Sequence, residues 1–193
     1  MKRTVSLLIA SIPVLLISAI PPEINAQAWI TESGYVEFAS EATMLSFKGT
    51  SNHLTGLIDL EKNLIDFYVD LNTLETGISR RDRDMRTQYL ETDQYRYAEF
   101  TGSLRDGFNP NLEETQEVVA TGQFTIHGVE REIEVSGTLT PLSSDSLRLE
   151  ASWTVRLEDH NIDRPGVLFL ELSEEQKVSI SADLAPYVET EEN

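Results

Sequence analysis

From Val36 to Leu184 the sequence places an apolar residue at every second position, again and again. Val36 and Phe38 share one face, and Leu45 and Phe47 another. Leu54, Gly56 and Ile58 alternate with His53, Thr55 and Leu57, and Ile65, Phe67, Val69 and Leu71 with Asp66, Tyr68 and Asp70. The pattern returns at Phe100–Leu104, Val118–Ile126, Ile133–Leu139, Leu147–Leu157 and Val178–Leu184. Successive side chains of a strand point to opposite sides, so each run is a strand with one wet and one apolar face. So many one-sided strands in one domain require a sandwich or a closed barrel.

The links and the small residues bear on the choice between these. Glu61-Lys62-Asn63 reads as a hairpin connection and His127-Gly128 as a tight turn, with Gly128 free to take positive φ. Gly107-Phe108-Asn109-Pro110 opens a polar loop. Short links pair consecutive strands antiparallel, which favours an up-and-down order. Small residues (Gly56, Gly102, Ala120, Gly122, Gly137, Ala151) fall among the inward positions, where they leave room or let strands bend. The expected fold is all-β, and these features point toward a barrel with a cavity, for which eight strands suffice to hold one small ligand. One long stretch breaks the alternation. Thr76–Phe100 holds Arg80, Arg81, Asp82, Arg83, Asp84 and Arg86, then Met85 and Tyr89 four apart. It predicts a short helical excursion around residues 79–91 with Met85 and Tyr89 on one face.

The first residues have the layout of a secretory leader: Met1-Lys2-Arg3, an apolar run from Val5 to Ile20, and the small-x-small site Ala26-Gln27-Ala28. Serines, Pro13 and Pro21-Pro22 make that run a poor membrane-spanning helix. The chain is therefore divided into a leader at 1–28, a barrel domain at 29–188 and an acidic tail at 189–193. Cleavage is expected near Ala28, with Ala26 as the alternative, and the destination is periplasmic or extracellular. Taking Lys2, Arg3 and Glu23 from the 15 basic and 33 acidic side chains leaves 13 and 32, a formal charge of −19. That balance argues against nucleic acid or an anionic membrane surface as a partner, and no stable membrane insertion is expected. With no cysteine, the domain depends on its core or on sheet closure.

Residues for catalysis are sparse. His53, His127 and His160 lack metal-ligand spacing, and no nucleophile elbow, phosphate loop or calcium loop occurs. Acid pairs such as Asp82/Asp84 lie in exposed-looking, charge-rich segments rather than in the buried setting that a general acid needs. No catalytic residue and no metal site is assigned, and the chain is read as a non-enzyme. The apolar interior then either fills a packed core or holds a ligand, and periodicity does not separate the two.

Three blocks carry a family resemblance. Thr76-Gly77-Ile78, Arg81-Asp82, Met85-Arg86, Tyr89-Leu90-Glu91, Tyr95 and Phe100 form the first, and Gly122–Val129 (GQFTIHGV) the second. Leu157–Ile162 with Pro165 forms the third. Together they resemble the YceI-like family of exported polyisoprenoid-binding proteins. The resemblance implies an all-β fold, an eight-stranded antiparallel lipocalin-like β-barrel with a helical excursion and a long hydrophobic tunnel. It marks Arg81, Asp82, Met85 and Arg86 as the excursion motif and Phe124, Thr125, His127 and Gly128 as the hairpin motif. Arg81 and Asp82 are expected to lock the excursion. The chain departs from the family pattern in lacking the first early histidine, in Tyr97-Ala98 where a proline is usual, and in Asn161 where glycine is usual.

The expected function is binding of a long-chain amphiphile (isoprenoid quinone, polyprenyl or fatty-acyl type) for storage or transport. Phe38, Phe47, Phe67, Val69, Phe100, Phe124, Val135, Ala151 and Trp153 are the expected cavity wall. No cofactor is required; the expected occupant is an isoprenoid or acyl lipid, and the barrel is compatible with a homodimer. The competing readings are a ligand-free barrel serving as a stress-related or protein-interaction module, and a hydrolase or redox enzyme using the three histidines.

Overall fold

In a computed structural model, residues 28–42, 45–143, 145–164, 166–167, 170–171 and 173–187 are described. The leader up to residue 27, Pro165 and the acidic tail lie outside them. The strands are β1 (Ala28–Ala42), β2 (Leu45–Asp59), β3 (Leu64–Asp70), β4 (Tyr97–Leu104), β5 (Gln116–Ile126), β6 (Val129–Ser143) and β7 (Ser146–Arg156). A two-residue ladder, β8 (Gly166–Val167) with β9 (Leu170–Glu171), precedes β10 (Glu175–Pro186). That small ladder is too short to leave a period-two signature. The eight long strands close a barrel in the order β1-β10-β7-β6-β5-β4-β3-β2, every ladder antiparallel.

The hairpins follow from their residues. Asp59 accepts a hydrogen bond from the Lys62 N–H at 2.9 Å, and Asn63 takes φ 48°, which closes the β2–β3 turn. Between β5 and β6 both turn residues are left-handed, His127 at φ 52° and Gly128 at φ 71°. That is a two-residue turn of the mirror-image type that matches strand twist. The sequence reading gave the positive φ to the glycine alone; the histidine shares it.

The inward faces meet in rows set by register. Phe67 lies opposite Phe100, and Phe100 opposite Phe124. The expectation that small inward residues leave room holds for some and not for others. Ala120, Gly137 and Ala151 line the cavity described below. Gly56 instead is covered by the Phe67 ring, where a Cβ would come within 2.3 Å of a ring carbon, and Gly102 faces Gly122 across a ladder.

The two ends of the barrel differ. At the end where β2 turns into β3 and β6 into β7, Ile58, Leu139, Leu147 and Leu184 are sealed, none more than 2 % exposed. Toward the opposite end Phe38, Phe100, Trp153, Val178 and Ile180 are only half-buried although they face inward. The barrel is solid at its base and hollow above it.

Candidate ligand-binding site

The hollow half is a cavity of about 460 Å³. All nine residues expected on its wall, from Phe38 to Trp153, are brought together there. Phe38 and Phe47 meet edge to face at 5.9 Å, as do Phe124 and Trp153 at 5.8 Å. The volume lies within the range of small-molecule sites, and the wall is hydrocarbon over most of its depth.

The segment between β3 and β4 borders the mouth. It differs from the single helix expected over 79–91. Helix α1 (Ser79–Asp84) passes into a π turn at Met85–Tyr89, and the helix ends there. The Leu90 N–H bonds the Met85 carbonyl at 2.9 Å, five residues back. A π turn stacks residues five apart on one side, which an α-helix does not. Met85 and Leu90 are thereby both buried against the cavity, with Tyr89 on its rim.

Arg81 and Asp82 tie this segment to its own start. The Thr76 N–H donates to the Asp82 carboxylate at 2.8 Å, and the Thr76 hydroxyl donates to the same oxygen. Arg81 Nε donates to the Thr76 hydroxyl and its Nη2 to the Thr76 carbonyl, both at 2.7 Å. Gly77 follows at φ 78°, a conformation that suits glycine. Arg86 reaches the Leu74 carbonyl at 2.8 Å, and Thr50 and Glu75 exchange two backbone hydrogen bonds, fastening the segment to β2. Arg81 also lies 4.3 Å above the Phe47 ring, a cation–π contact that joins the excursion to the cavity wall.

The hairpin motif holds the other end of the excursion. His127 Nε2 lies 3.0 Å from the Glu91 carboxylate and its Nδ1 3.1 Å from the His160 carbonyl. The Tyr95 ring packs against His127 at 4.6 Å and covers Gly128. His160 directs Nδ1 at the Val129 carbonyl (3.0 Å) and meets the Phe124 ring edge to face at 5.5 Å. Burial pushes its imidazole below the ordinary histidine value. Asn161, where the sequence departs from the family pattern, takes the left-handed φ of 55° that ends the Leu157–His160 turn. Thr125 sits on β5 between Glu99 and Glu130 in register and is not on the cavity wall. His53 is exposed on β2, away from the paired His127 and His160. The three histidines therefore do not form one site, and no metal-holding cluster of side chains occurs among the described residues.

Sequence reasoning missed the Arg81–Phe47 and His127–Glu91 contacts. Each joins residues 34 or more apart in the chain, and only the barrel register brings them together.

The YceI-like domain model matches residues 30–184. The chain belongs to the YceI-like family. Solved structures share the fold of this YceI-like barrel. A polyisoprenoid-binding domain from Saccharophagus degradans, implicated in plant cell wall breakdown, superposes with a TM-score of 0.71 at 17 % identity, over 84 % of this chain and 99 % of that one. BcnA from Burkholderia cenocepacia gives 0.66 at 12 % identity, over 79 % and 96 %. A YceI protein from Campylobacter jejuni gives 0.63 at 14 %, over 77 % and 90 %. No protein of curated function matches the chain significantly.

Proposed function

We propose that this YceI-like barrel binds the hydrocarbon chain of an isoprenoid or acyl amphiphile in its cavity, for storage or transport, without catalysis. The observation that carries the reading is the apolar cavity itself, closed at its base by sealed leucines and bordered at its mouth by the excursion. Burying a methylene is worth ~0.8 kcal/mol, and association costs at least ~4 kcal/mol. About five buried methylenes thus only offset the low end of that cost, so a long chain binds and a short one does not. The polyisoprenoid-binding relative of the same fold supports the isoprenoid class.

Native mass spectrometry of protein purified from its own cell envelope, with organic extraction, tests this. A co-purifying prenyl or acyl lipid is expected. An empty protein that also refuses prenyl and fatty-acyl probes would overturn the reading. Ala151→Trp, which places an indole on the cavity wall, is expected to abolish uptake in a folded barrel.

The leader features support export, and β1 bears on where the leader ends. The Ala28 carbonyl accepts a hydrogen bond from the Tyr187 N–H at 2.8 Å, and Ala28 pairs with Asp59. Cleavage after Ala26 keeps this first rung, whereas cleavage after Ala28 removes it. The mass of the mature chain decides between them.

A further inference from the structure

Four of the chain's 15 basic side chains, Arg80, Arg81, Arg83 and Arg86, fall within seven consecutive residues of a protein whose formal charge is −18. Two of the four line the cavity mouth. Arg80 and Arg81 border it, while Arg83 is exposed to solvent and Arg86 is turned to the Leu74 carbonyl. Arg81 is already held in place by Thr76 and by the Phe47 ring. A guanidinium carries five N–H donors. Arg81 gives two of them to Thr76, through Nε and Nη2, which leaves three without a partner among the described residues.

The carboxylates nearby do not take up the remaining Arg81 donors. Asp82 is occupied by the Thr76 N–H and hydroxyl. Asp84 also borders the mouth, with its oxygen 3.8 Å from Arg80 Nε. Asp84 and Glu99 stand against the two guanidiniums on the lining, so what sets the mouth apart is the unused donors of Arg81 rather than a surplus of charge. Below them the wall is Val69, Phe124, Val135 and Leu149, ending on the sealed base. The long axis of the cavity thus runs from fixed positive charge with unused donors to hydrocarbon.

We propose that the ligand is an anionic amphiphile, with its tail toward the base and a carboxylate or phosphate head against Arg81, with Arg80 beside it. This rests on the cavity-binding reading above and adds the head-group class to it. A guanidinium suits either head, because both present oxygen acceptors to its planar fork. The protein's overall negative charge repels an anion at long range. The selectivity therefore shows in equilibrium affinities of ligands with matched tails, rather than in the speed of capture.

The test uses the full mature protein and pairs of probes that differ only in the head: hexadecanoate against hexadecanol, and farnesyl phosphate against farnesol. Binding is read from the fluorescence of Trp153 on the cavity wall and confirmed by native mass spectrometry. Each anion is expected to bind about tenfold or more tighter than its alcohol, a gap of ~1.4 kcal/mol or more. Which of the two anions gains more identifies a fatty-acid or a prenyl-phosphate type of head.

Arg80→Gln and Arg81→Gln are each expected to weaken the anions and leave the alcohols unchanged. Arg80 is mostly exposed and its ion pair with Asp84 is long, so its variant keeps the test valid if loss of the Arg81–Thr76 bonds loosens the excursion. Equal affinities for acid and alcohol would overturn the head-group inference and leave the cavity reading standing. So would variants that weaken acid and alcohol alike, since the arginines would then act only through the excursion. No binding of any probe would overturn both.

Discussion

Thr76 is the residue on which the excursion turns. Its N–H and hydroxyl both reach Asp82, and its hydroxyl and carbonyl both receive Arg81. A hydrogen bond to a charged group contributes about 1.5–3 kcal/mol. Asp82→Asn is therefore expected to speed hydrogen exchange at the Thr76 amide roughly tenfold or more while barrel amides keep their protection. Uniform loss of protection would mean that the knot is not local. His160 gives a pH dependence of stated sign. Burial favours its neutral form in the native state, so its contribution is complete above the ordinary histidine value. It is lost as pH falls through the lower native value, because the unfolded chain then binds the extra proton. Asp183, held below the usual carboxylate range by Arg148, adds a second loss at lower pH. Denaturant midpoints measured across the histidine range should show an acid-side decline that His160→Gln lacks, with the later carboxylate decline common to both proteins.

Among the elements, the strands were legible and the excursion only partly so. Period-two alternation marked every barrel strand, because each buries one face and wets the other, but it split β2 into two runs at Leu45–Phe47 and Leu54–Ile58 and began β1 at Val36 rather than Ala28. The helical signal at Met85 and Tyr89 was also real. What spacing did not show was the π turn, since burial of Leu90 together with Met85 is decided by the cavity they cover. The β5–β6 hairpin shows how an element depends on a distant ring. A Cβ at Gly128 would lie 2.5 Å from Tyr95 Cε1, at a φ of 71° that already disfavours a side chain. Gly128→Ala is expected to cost about 1–3 kcal/mol, read as a lowered melting temperature. His127→Asn keeps a residue suited to positive φ. It is expected to loosen the Glu91 end of the excursion, seen as faster exchange there, with the hairpin intact.

At the scale of the whole molecule, stability and binding are divided between the two ends. The inward rows read alike in sequence, so base and cavity were not distinguishable there; Leu147 and Phe100 differ only in what the closed barrel places around them. Leu147 is fully sealed and off the cavity wall, and Leu147→Ala is expected to cost about 2–5 kcal/mol with little change in ligand affinity per folded molecule. Phe100 borders empty space, so Phe100→Ala should cost less stability and more affinity. Parallel denaturant and binding titrations check this, and the reverse ranking would refute the division.

Barrel closure also sets an order of events. Ladders from β1 through β7 join strands that follow one another in the chain, and β10 follows β7 after the Leu157–His160 turn and the short β8–β9 ladder. Those contacts are local in the chain, the longest connection among them being the excursion between β3 and β4. The ladder between β1 and β10 alone ties the two ends of the domain. Until Glu175–Pro186 is available, β1 and β7 both expose unpaired edges, and the cavity is a trough open along its length. A nascent chain at that stage presents its hydrocarbon surface sideways, to a lipid or to another strand alike. The last twelve residues of the barrel thus decide when the interior becomes private to the ligand.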